Sequence, residues 1–367
     1  MQIPFYSFKR QIFHLKEELL KEFNIIFNCN EYEPELLNYV AELERSFANY
    51  CDVSFGVGTD SGTGALQLSL LASGVKIGDE VITTPNTYIA TALAISNIGA
   101  KPVFVDINPD TFNIDPYQIE GRINEKTKAI IPVYLYGQSS DMDPILNIAK
   151  KDNLVVIEDA CQAHGSTYNN KKVGSMGHIG CFSFYSSKNL SGFGNGGMIV
   201  SNNKKIIDIV KNLRDPESNT LRLLQSRRTP AYLDSIQAAI IKIKLKYLDK
   251  WNQERREIAK LYTESLSNIV KTPIEGKNVF HTYHSYVIRT DKRDELKDFL
   301  GKNGIRTSIE YSPSIHLTKT FSPLGYKLGD HPEAEKAEKE ILSLPIYPEL
   351  NRDELNHIIN TIRKFFV

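Results

Sequence analysis

Two ionisable side chains of opposite charge each follow a short apolar run in this sequence. Asp159 follows residues 154–157, and Lys188 follows residues 180–185. Each run has the length of a buried strand. In open α/β sheets, ligands bind at the carboxyl ends of the strands. A lysine amine can form a Schiff base with a carbonyl cofactor, while a carboxylate keeps a ring nitrogen protonated. The pair therefore suggests a pyridoxal phosphate (PLP) site.

Both residues also have an ordinary structural explanation. Lys188 alone would fit a surface lysine, and Asp159 would fit a strand-end acid that caps the next turn. The adjacent Glu158 leaves the choice of acid open on physical grounds. Against the surface explanation, residues 192–197 hold four glycines, which allow the backbone to fold tightly under a ligand. Burial near other cations would lower the pKa of Lys188 and make its amine nucleophilic.

Three further residues could complete such a site. Gln162 follows Asp159 by three positions, and it could reach the edge of the same ring if the turn is helical. Ser183 lies in the second apolar run, where its hydroxyl could bind phosphate or be satisfied within the core. Tyr88 could cover a ring face, although core packing is the commoner role for a single aromatic side chain.

A glycine-rich turn runs into an apolar helix over residues 55–72. Backbone amides at such a helix start form an anion site, and glycine permits the close approach of a phosphate. The turn lacks the Gly-Lys-Ser/Thr of nucleotide hydrolases, and the spacing of Gly58, Gly62 and Gly64 does not fit the dinucleotide fingerprint. An ordinary turn before a helix is an equally good explanation of these residues alone.

The order of predicted elements indicates a parallel sheet followed by a smaller domain, because strands and helices alternate before residue 202. The predicted strands are 80–83, 102–106, 128–134, 154–157, 180–185, 198–201, 283–289 and 305–311. The predicted helices include 8–27, 87–98, 144–151, 204–213, one long helix over 234–262, and 293–303, 333–342 and 353–366. We predict a large domain with an N-terminal helical arm over residues 1–245 and a small α+β domain over residues 246–367.

Composition excludes several classes of protein. The 367 residues are 41% hydrophobic, enough for two domains, and they carry 44 basic and 44 acidic side chains. This balance gives no field that would attract nucleic acid or a membrane surface. We expect no signal peptide, no membrane span and no metal site. The four cysteines show no paired spacing, which favours reduced thiols and a cytoplasmic location.

Eight ordered segments resemble those of one family, the DegT/DnrJ/EryC1/StrS sugar aminotransferases. They are Ser61-Gly-Thr-Gly-Ala-Leu, Gly78-Asp-Glu-Val-Ile, Asn86-Thr-Tyr-Ile-Ala-Thr, Gly99-Ala-Lys-Pro-Val-Phe-Val-Asp, Glu158-Asp-Ala-Cys-Gln-Ala-His-Gly, Ser183-Phe-Tyr-Ser-Ser-Lys-Asn, Gly194-Asn-Gly-Gly and Leu233-Asp-Ser-Ile-Gln-Ala-Ala. The resemblance implies a fold-type I α/β architecture, with a large and mostly parallel seven-stranded-type sheet and a smaller C-terminal α+β domain.

The resemblance also gives each site residue a role. Lys188 would bond to PLP and shuttle a proton, and Asp159 would pair with the ring nitrogen; these are the predicted catalytic residues. The other predicted cofactor contacts are Gln162 to the ring hydroxyl, Tyr88 on the ring face, and Gly62, Thr63 and Ser183 at the phosphate. A sister branch has histidine at the lysine position and removes a hydroxyl, so Lys188 favours transamination. The implied partners are L-glutamate, a nucleotide-linked keto sugar and a second subunit in a homodimer with shared active sites.

One region departs from the family pattern. The family usually has an asparagine that reaches the partner's PLP phosphate and then an arginine, where this chain has Pro230 and Tyr232. Arg222, Arg227 and Arg228 lie just upstream, and they fit either a solvated loop or an anion pocket for a phosphorylated ketone or ketose. The predicted substrate-binding residues are Arg222, Arg227, Arg228, Tyr311 and His316.

The sequence therefore predicts a PLP-dependent aminotransferase that converts a ketone on a carbohydrate-type substrate into an amine, in cell-surface glycan or related biosynthesis. One alternative is a PLP-dependent sugar dehydratase or lyase. Another is a non-catalytic PLP-binding regulator, although the chain shows no appended DNA-binding segment.

Overall fold

A computed structural model describes residues 1–28, 32–214 and 231–367 of the chain. Its strands are β1 (Phe55–Thr59), β2 (Glu80–Thr83), β3 (Lys101–Phe104), β4 (Thr127–Ile130), β5 (Val155–Asp159), β6 (Thr167–Tyr168), β7 (Lys171–Lys172), β8 (Ile179–Ser183), β9 (Gly197–Ser201), β10 (Val279–Phe280), β11 (Tyr286–Arg289) and β12 (Ile341–Leu344). Its α-helices are α1 (Phe8–Phe27), α2 (Tyr32–Tyr50), α3 (Gly62–Ala72), α4 (Ala90–Asn97), α5 (Met142–Lys151), α6 (Lys204–Arg214), α7 (Ser235–Leu245), α8 (Leu248–Leu266), α9 (Arg293–Lys302), α10 (Pro332–Glu340) and α11 (Arg352–Phe366).

A seven-stranded sheet forms the larger part of the molecule, with the spatial order β1-β9-β8-β5-β4-β2-β3. Only β9 runs against its neighbours, and the other adjacent strands are parallel. Apolar clusters cover both faces of this sheet, as expected for strands read as continuous apolar runs. The predicted fold class, a fold-type I α/β architecture with a mostly parallel sheet, is confirmed.

The pairing of β5 with β8 brings the two predicted functional segments together. These strands are parallel, and Asp159 pairs with Cys181 in their register. Their carboxyl ends therefore meet at one edge of the sheet, where Lys188 follows β8 after a short turn closed by the bond from Lys188 N to Tyr185 O (2.8 Å).

The smaller C-terminal part has its own core. Helix α8 packs with β11, β12, α9 and α11 around buried side chains such as Tyr262, Tyr286 and Ile358. Strands β11 and β12 form an antiparallel pair. The predicted domain division after residue 245 falls at the junction between α7 and α8.

Four predicted elements differ from the structure. The glycine turn at residues 55–59 is strand β1, and a Cβ on Gly56 would lie 2.6 Å from the Glu44 carbonyl oxygen, so α2 crosses too closely for another residue. The predicted helix over 234–262 is two helices, α7 and α8. The predicted strand over 305–311 is not a strand of the structure, and its ladder pairing is limited to the isolated bridges Ile3–Ile305 and Ser308–Ser343 among the described residues. The helix predicted over 333–342 ends at Glu340, where β12 begins.

The predicted N-terminal arm is helix α1, which lies over α7. Leu15 and Leu19 of α1 pack with Ile240 and Ile243. The guanidinium of Arg10 binds the carboxylate of Glu354 on α11 through two bonds of 2.6 Å. None of the helices described is both long and apolar enough to cross a membrane.

Candidate active site

A cavity of about 380 Å³ opens at the carboxyl ends of β5 and β8. All seven predicted cofactor residues line it, together with Tyr311, one of the predicted substrate residues: Gly62, Thr63, Tyr88, Asp159, Gln162, Ser183, Lys188 and Tyr311. Residues separated by more than 100 positions thus meet in one concave site, which is the usual form of a small-molecule site.

Asp159 is the acid on the cavity side of β5. Its Oδ2 accepts a hydrogen bond from Thr91 Oγ1 (2.8 Å), and its Oδ1 accepts one from Cys161 N (3.3 Å). Thr91 is oriented in turn by Thr87, whose Oγ1 lies 3.1 Å from Thr91 Oγ1. Asp159 is therefore fixed in direction while part of its carboxylate still faces the cavity.

Glu158, the neighbouring acid, is committed to the protein interior. Successive residues of a strand point to opposite faces, and the buried Glu158 carboxyl group accepts four hydrogen bonds of 2.5–2.8 Å, from Tyr134 Oη and from the amides of residues 174, 176 and 177. Burial raises the pKa of this carboxyl group. Glu158 thus holds the loop before β8, and of the two acids only Asp159 lines the cavity.

Lys188 is half-buried, and its side chain lines the cavity. Burial lowers the pKa of its amine, while the opposing influence comes from Cys161, Glu310 and Asp159. A lowered pKa increases the fraction of neutral amine, which is the nucleophilic form. The expected neighbouring cations are not the cause. His164 and His284 lie near Lys188, but burial lowers the pKa of both, to about 3 for His164, so neither is charged at neutral pH.

The start of helix α3 forms an anion cradle. Ser61 caps the helix by accepting a bond from Gly64 N (3.0 Å), and the preceding amides of Gly62 and Thr63 are among those that have no partner within a helix. A Cβ on Gly62 would lie 2.7 Å from Cys161 Sγ and 2.8 Å from Ser183 Cβ, so glycine is required for this close approach. Amides without helical partners at a helix start, beside a serine hydroxyl, suit a phosphate group.

Gln162 and Tyr88 occupy two sides of the cavity. Gln162 Oε1 accepts from Tyr136 N (2.8 Å), and Gln162 Nε2 donates to Tyr311 Oη (2.9 Å). Tyr88 is 56% exposed, so it does not belong to the core, and its ring centroid lies 5.5 Å from that of Tyr311. The amide thus borders the inner edge of the cavity, and the tyrosine rings form a wall suited to a flat ligand.

Other predicted substrate residues are placed elsewhere. Arg222, Arg227, Arg228 and Pro230 lie outside the described residues. His316 is not in the cavity lining; its buried Nε2 lies 3.0 Å from Glu335 Oε1. Tyr232 is 49% exposed and packs under the guanidinium of Arg214, at 5.5 Å.

Sequence reasoning missed three residues that shape the site. Thr91 ends the segment Asn86-Thr-Tyr-Ile-Ala-Thr, where a hydroxyl three residues after Tyr88 was the available signal. Tyr136 orients Gln162 through its backbone amide, which no side-chain pattern reveals. Glu310 precedes Tyr311 in a stretch that was predicted to be a strand. Within the ranges that the structure describes, no group of three or more His, Cys, Asp or Glu side chains is arranged to hold a metal ion.

The chain is similar to proteins of one family over nearly its whole length. The model of the DegT/DnrJ/EryC1/StrS aminotransferase family matches residues 14–363. A pleiotropic regulatory protein of Geobacillus stearothermophilus is 43% identical, over 100% of this chain and 99% of that protein. The dTDP-3-amino-3,6-dideoxy-alpha-D-galactopyranose transaminase of Aneurinibacillus thermoaerophilus is 39% identical, over 99% of each. The crystal structure of DesV from S. venezuelae matches with a TM-score of 0.94 at 34% identity, over 99% of this chain and 98% of that one.

Proposed function

The chain belongs to the DegT/DnrJ/EryC1/StrS aminotransferase family, and we propose that it transfers the amino group of L-glutamate to the ketone of a nucleotide-linked sugar. It is a PLP-dependent transaminase of the keto-sugar class. The observation that carries the proposal is the meeting of the half-buried Lys188, an oriented carboxylate and a helix-start anion cradle in one cavity. Transaminases that act on dTDP- and UDP-linked sugars are among its relatives, which supports a nucleotide-linked acceptor.

The residues present fit PLP. Gly62, Thr63 and Ser183 would hold its phosphate, and Gln162 would face the hydroxyl edge of its ring. Tyr88 would cover a ring face. When bound, PLP supplies an aldehyde carbon for an amine and a protonated ring that accepts an electron pair.

Asp159 and Lys188 divide the acid–base work. Asp159, oriented by Thr91, would hold a proton on the ring nitrogen because a carboxylate stabilises the protonated form beside it. Lys188 would accept a proton from the substrate carbon and return it, as the amine kept partly neutral by burial. The nearby His164 cannot compete as an acid at neutral pH, since burial lowers its pKa to about 3.

We also propose that the protein is a homodimer and that it lies in the cytoplasm. Two aromatic side chains of the cavity lining, Tyr88 and Tyr185, are 56% and 51% exposed, which suits a mouth covered by the partner in a homodimer. The cysteines that the structure describes, Cys51, Cys161 and Cys181, are unpaired, as expected of a reducing compartment.

A PLP-binding regulator without turnover is the second candidate, favoured by the name of the Geobacillus stearothermophilus relative. A dehydratase or lyase is the third, and the lysine at position 188 disfavours it.

The test is glutamate-driven amination by the PLP-loaded protein. We expect L-glutamate to bleach the visible absorbance of the bound cofactor and release one equivalent of 2-oxoglutarate per site. A dTDP- or UDP-linked keto sugar should then restore the absorbance and yield an amino sugar. The acceptor panel includes simple phosphorylated ketones and ketoses, and Lys188→Ala is the inactive control.

Each other outcome overturns a separate part of the proposal. Absence of 2-oxoglutarate excludes glutamate as the donor. If only the phosphorylated ketones are aminated, the acceptor is a phosphorylated ketone and not a nucleotide-linked sugar. Loss of a hydroxyl from the sugar without gain of nitrogen would identify a dehydratase, and binding of PLP without either change would identify a regulator.

A further inference from the structure

A tyrosine of the C-terminal part of the chain, Tyr311, borders the cavity beside Gln162. Both residues line the cavity, as does Tyr88, and the ring centroid of Tyr311 lies 5.5 Å from that of Tyr88. Tyr311 also packs against a buried apolar cluster that includes Val133 and Val287. The ring therefore contacts both parts of the molecule at the edge of the cavity.

The backbone that carries Tyr311 is fixed by the residue before it, Glu310. The Tyr136 hydroxyl donates a hydrogen bond to the carbonyl oxygen of Glu310. The carboxyl group of Glu310 accepts a second one from Ser285 Oγ (2.7 Å). Main chain and side chain of Glu310 are thus both held, so Tyr311 enters the cavity lining from a fixed point.

The amide of Gln162 has one possible orientation in this network. Its Oε1 accepts a hydrogen bond from Tyr136 N (2.8 Å), which turns Nε2 toward Tyr311. Gln162 Nε2 donates to Tyr311 Oη at 2.9 Å. An amide nitrogen carries two hydrogens, so one of them remains for a second acceptor.

The hydroxyl of Tyr311 also retains a hydrogen to donate. Its oxygen accepts the bond from Gln162, and in the part of the chain that the structure describes no group accepts its own hydrogen. Burial raises the pKa of this hydroxyl, so the hydrogen is kept at neutral pH. Two donors, Gln162 Nε2 and Tyr311 Oη, therefore stand 2.9 Å apart at one edge of the cavity.

We propose that Tyr311 is a cofactor-binding residue: its hydroxyl donates a hydrogen bond to the ring oxygen of PLP, the same oxygen that Gln162 faces. One oxygen can accept both bonds, and two adjacent donors suit an oxygen that carries negative charge. Tyr311, predicted to bind the substrate, is thereby assigned to the cofactor. This inference rests on the proposed function only in requiring that PLP binds in this cavity through Lys188.

A donor at the ring oxygen has a consequence that can be measured. The oxygen of bound PLP is negatively charged, and it shares the proton of the nitrogen that joins the cofactor to Lys188. When that proton leaves, donors of the protein stabilise the negative oxygen in its place. Each donor therefore favours the deprotonated state and lowers the pH at which the proton leaves.

The charged and titratable groups around the two donors stay the same when the Tyr311 hydroxyl is removed. Those that influence Tyr311 itself are Glu310, Tyr88 and Asp159. The further titratable groups on the neighbouring elements are Tyr136, Cys161, Lys188, His164 and His284. Because Tyr311→Phe changes none of them, a change in the titration reports the lost hydroxyl.

The test is a pH titration of the visible absorbance of the PLP-loaded protein without substrate. We expect Tyr311→Phe to raise the midpoint by about one pH unit, because one donor to the ring oxygen is lost. Tyr88→Phe is the matched control. It removes the same atom from the neighbouring ring, whose hydroxyl is not bonded to Gln162, and it should leave the midpoint unchanged.

A second pair of variants separates direct contact with the cofactor from an effect through Gln162. If Tyr311 donates to the ring oxygen itself, Tyr311→Phe should raise the midpoint further in a Gln162→Leu protein. If it only orients the amide, the double variant should titrate as Gln162→Leu does, and that result would overturn the proposal.

An unchanged midpoint in Tyr311→Phe also overturns it. Accompanied by a raised KM for the keto sugar, that result would return Tyr311 to the substrate site. Accompanied by a lower Tm in the absence of PLP, it would make the hydroxyl a structural partner of Gln162. The titration needs no amino donor, so a wild-type protein that titrates but is not bleached by glutamate refutes the proposed donor and leaves the role of Tyr311 standing.

Discussion

Lys188 and Lys244 both have a pKa that burial lowers, to about 7 for Lys244, yet their surroundings are opposite. Lys188 lines a cavity, and the carboxylate-bearing residue Asp159 lines the same cavity. Lys244 is fully buried between α7 and the arm, with its Nζ 4.9 Å from the ring centre of Phe8, 5.2 Å from that of Phe193 and 3.2 Å from Ser191 Oγ. Lys188 therefore borders an open cavity, whereas Lys244 is enclosed by two aromatic rings and one hydroxyl, with Glu349 opposing the effect of burial on its pKa.

The difference shows that a lowered pKa alone does not make a lysine functional. Both amines are made easier to deprotonate by loss of water. Only Lys188 combines that property with a place in the lining of a cavity that also holds Asp159. Lys244 is fully buried outside the cavity lining, and its contacts with Phe8 and Phe193 help to hold the N-terminal arm.

The largest expected effect is a difference in kcat between variants of the two lysines. Lys188→Ala should lower kcat by about 10⁴-fold or more, because both the nucleophile and the proton shuttle are lost. Lys244→Met should leave kcat within about threefold of the wild type, since Lys244 and its partners Phe8, Phe193 and Ser191 are not in the cavity lining. Single-turnover and steady-state assays of the two variants check this. Comparable loss in both would mean that the contrast between the two sites is wrong.

A smaller effect is expected for the acid that accompanies Lys188. Asp159→Asn should lower kcat by about 100-fold, which corresponds to a loss of about 3 kcal/mol of charge stabilisation. Glu158→Gln is the neighbouring control. It should destabilise the fold by about 2 kcal/mol, through donors left unpaired at residues 174–177, while the folded protein keeps its kcat. Urea unfolding and kcat measured on both variants decide it; the reverse pattern would exchange the roles of the two acids.

The smallest effect concerns the pH dependence of stability at Lys244. Its pKa is about 7 in the folded protein and about 10.5 when unfolded. Between these values the unfolded chain binds a proton that the folded one lacks, so stability rises with pH, and below pH 7 the full cost of the buried charge is present. Lys244→Met should remove on the order of 2 kcal/mol of the rise between pH 6.5 and 9.5. Urea unfolding at both pH values measures it, and an identical rise in both proteins would contradict it.

The position of Lys188 could be predicted from the sequence, whereas the surroundings of Lys244 could not. Lys188 stands in ordered motifs and after an apolar run, so its place at a strand end could be inferred together with those of Asp159, Gln162 and Gly62. Lys244 lies in the apolar pattern of a helix, and the rings that bury it come from distant segments at Phe8 and Phe193. A sequence pattern does not specify such a contact.

Two further differences have the same origin. Strand β1 was not predicted because glycine at positions 56 and 58 disfavours a strand, and the reason for Gly56 is a crossing helix that only the folded structure shows. Residues 305–311 have apolar alternation, but they are fixed by two isolated bridges and by the contacts of Glu310 and Tyr311. Local propensity gave way there to tertiary contacts around the cavity.

Mass spectrometry of the PLP-loaded protein after borohydride reduction tests the central assignment most directly. Reduction fixes the cofactor to the nitrogen that carries it, and a protease digest then locates the modified lysine. We predict the modification on Lys188 at one per chain, and none on Lys244. Modification of Lys244 or of another lysine, with Lys188 unmodified, would contradict the assignment of the site.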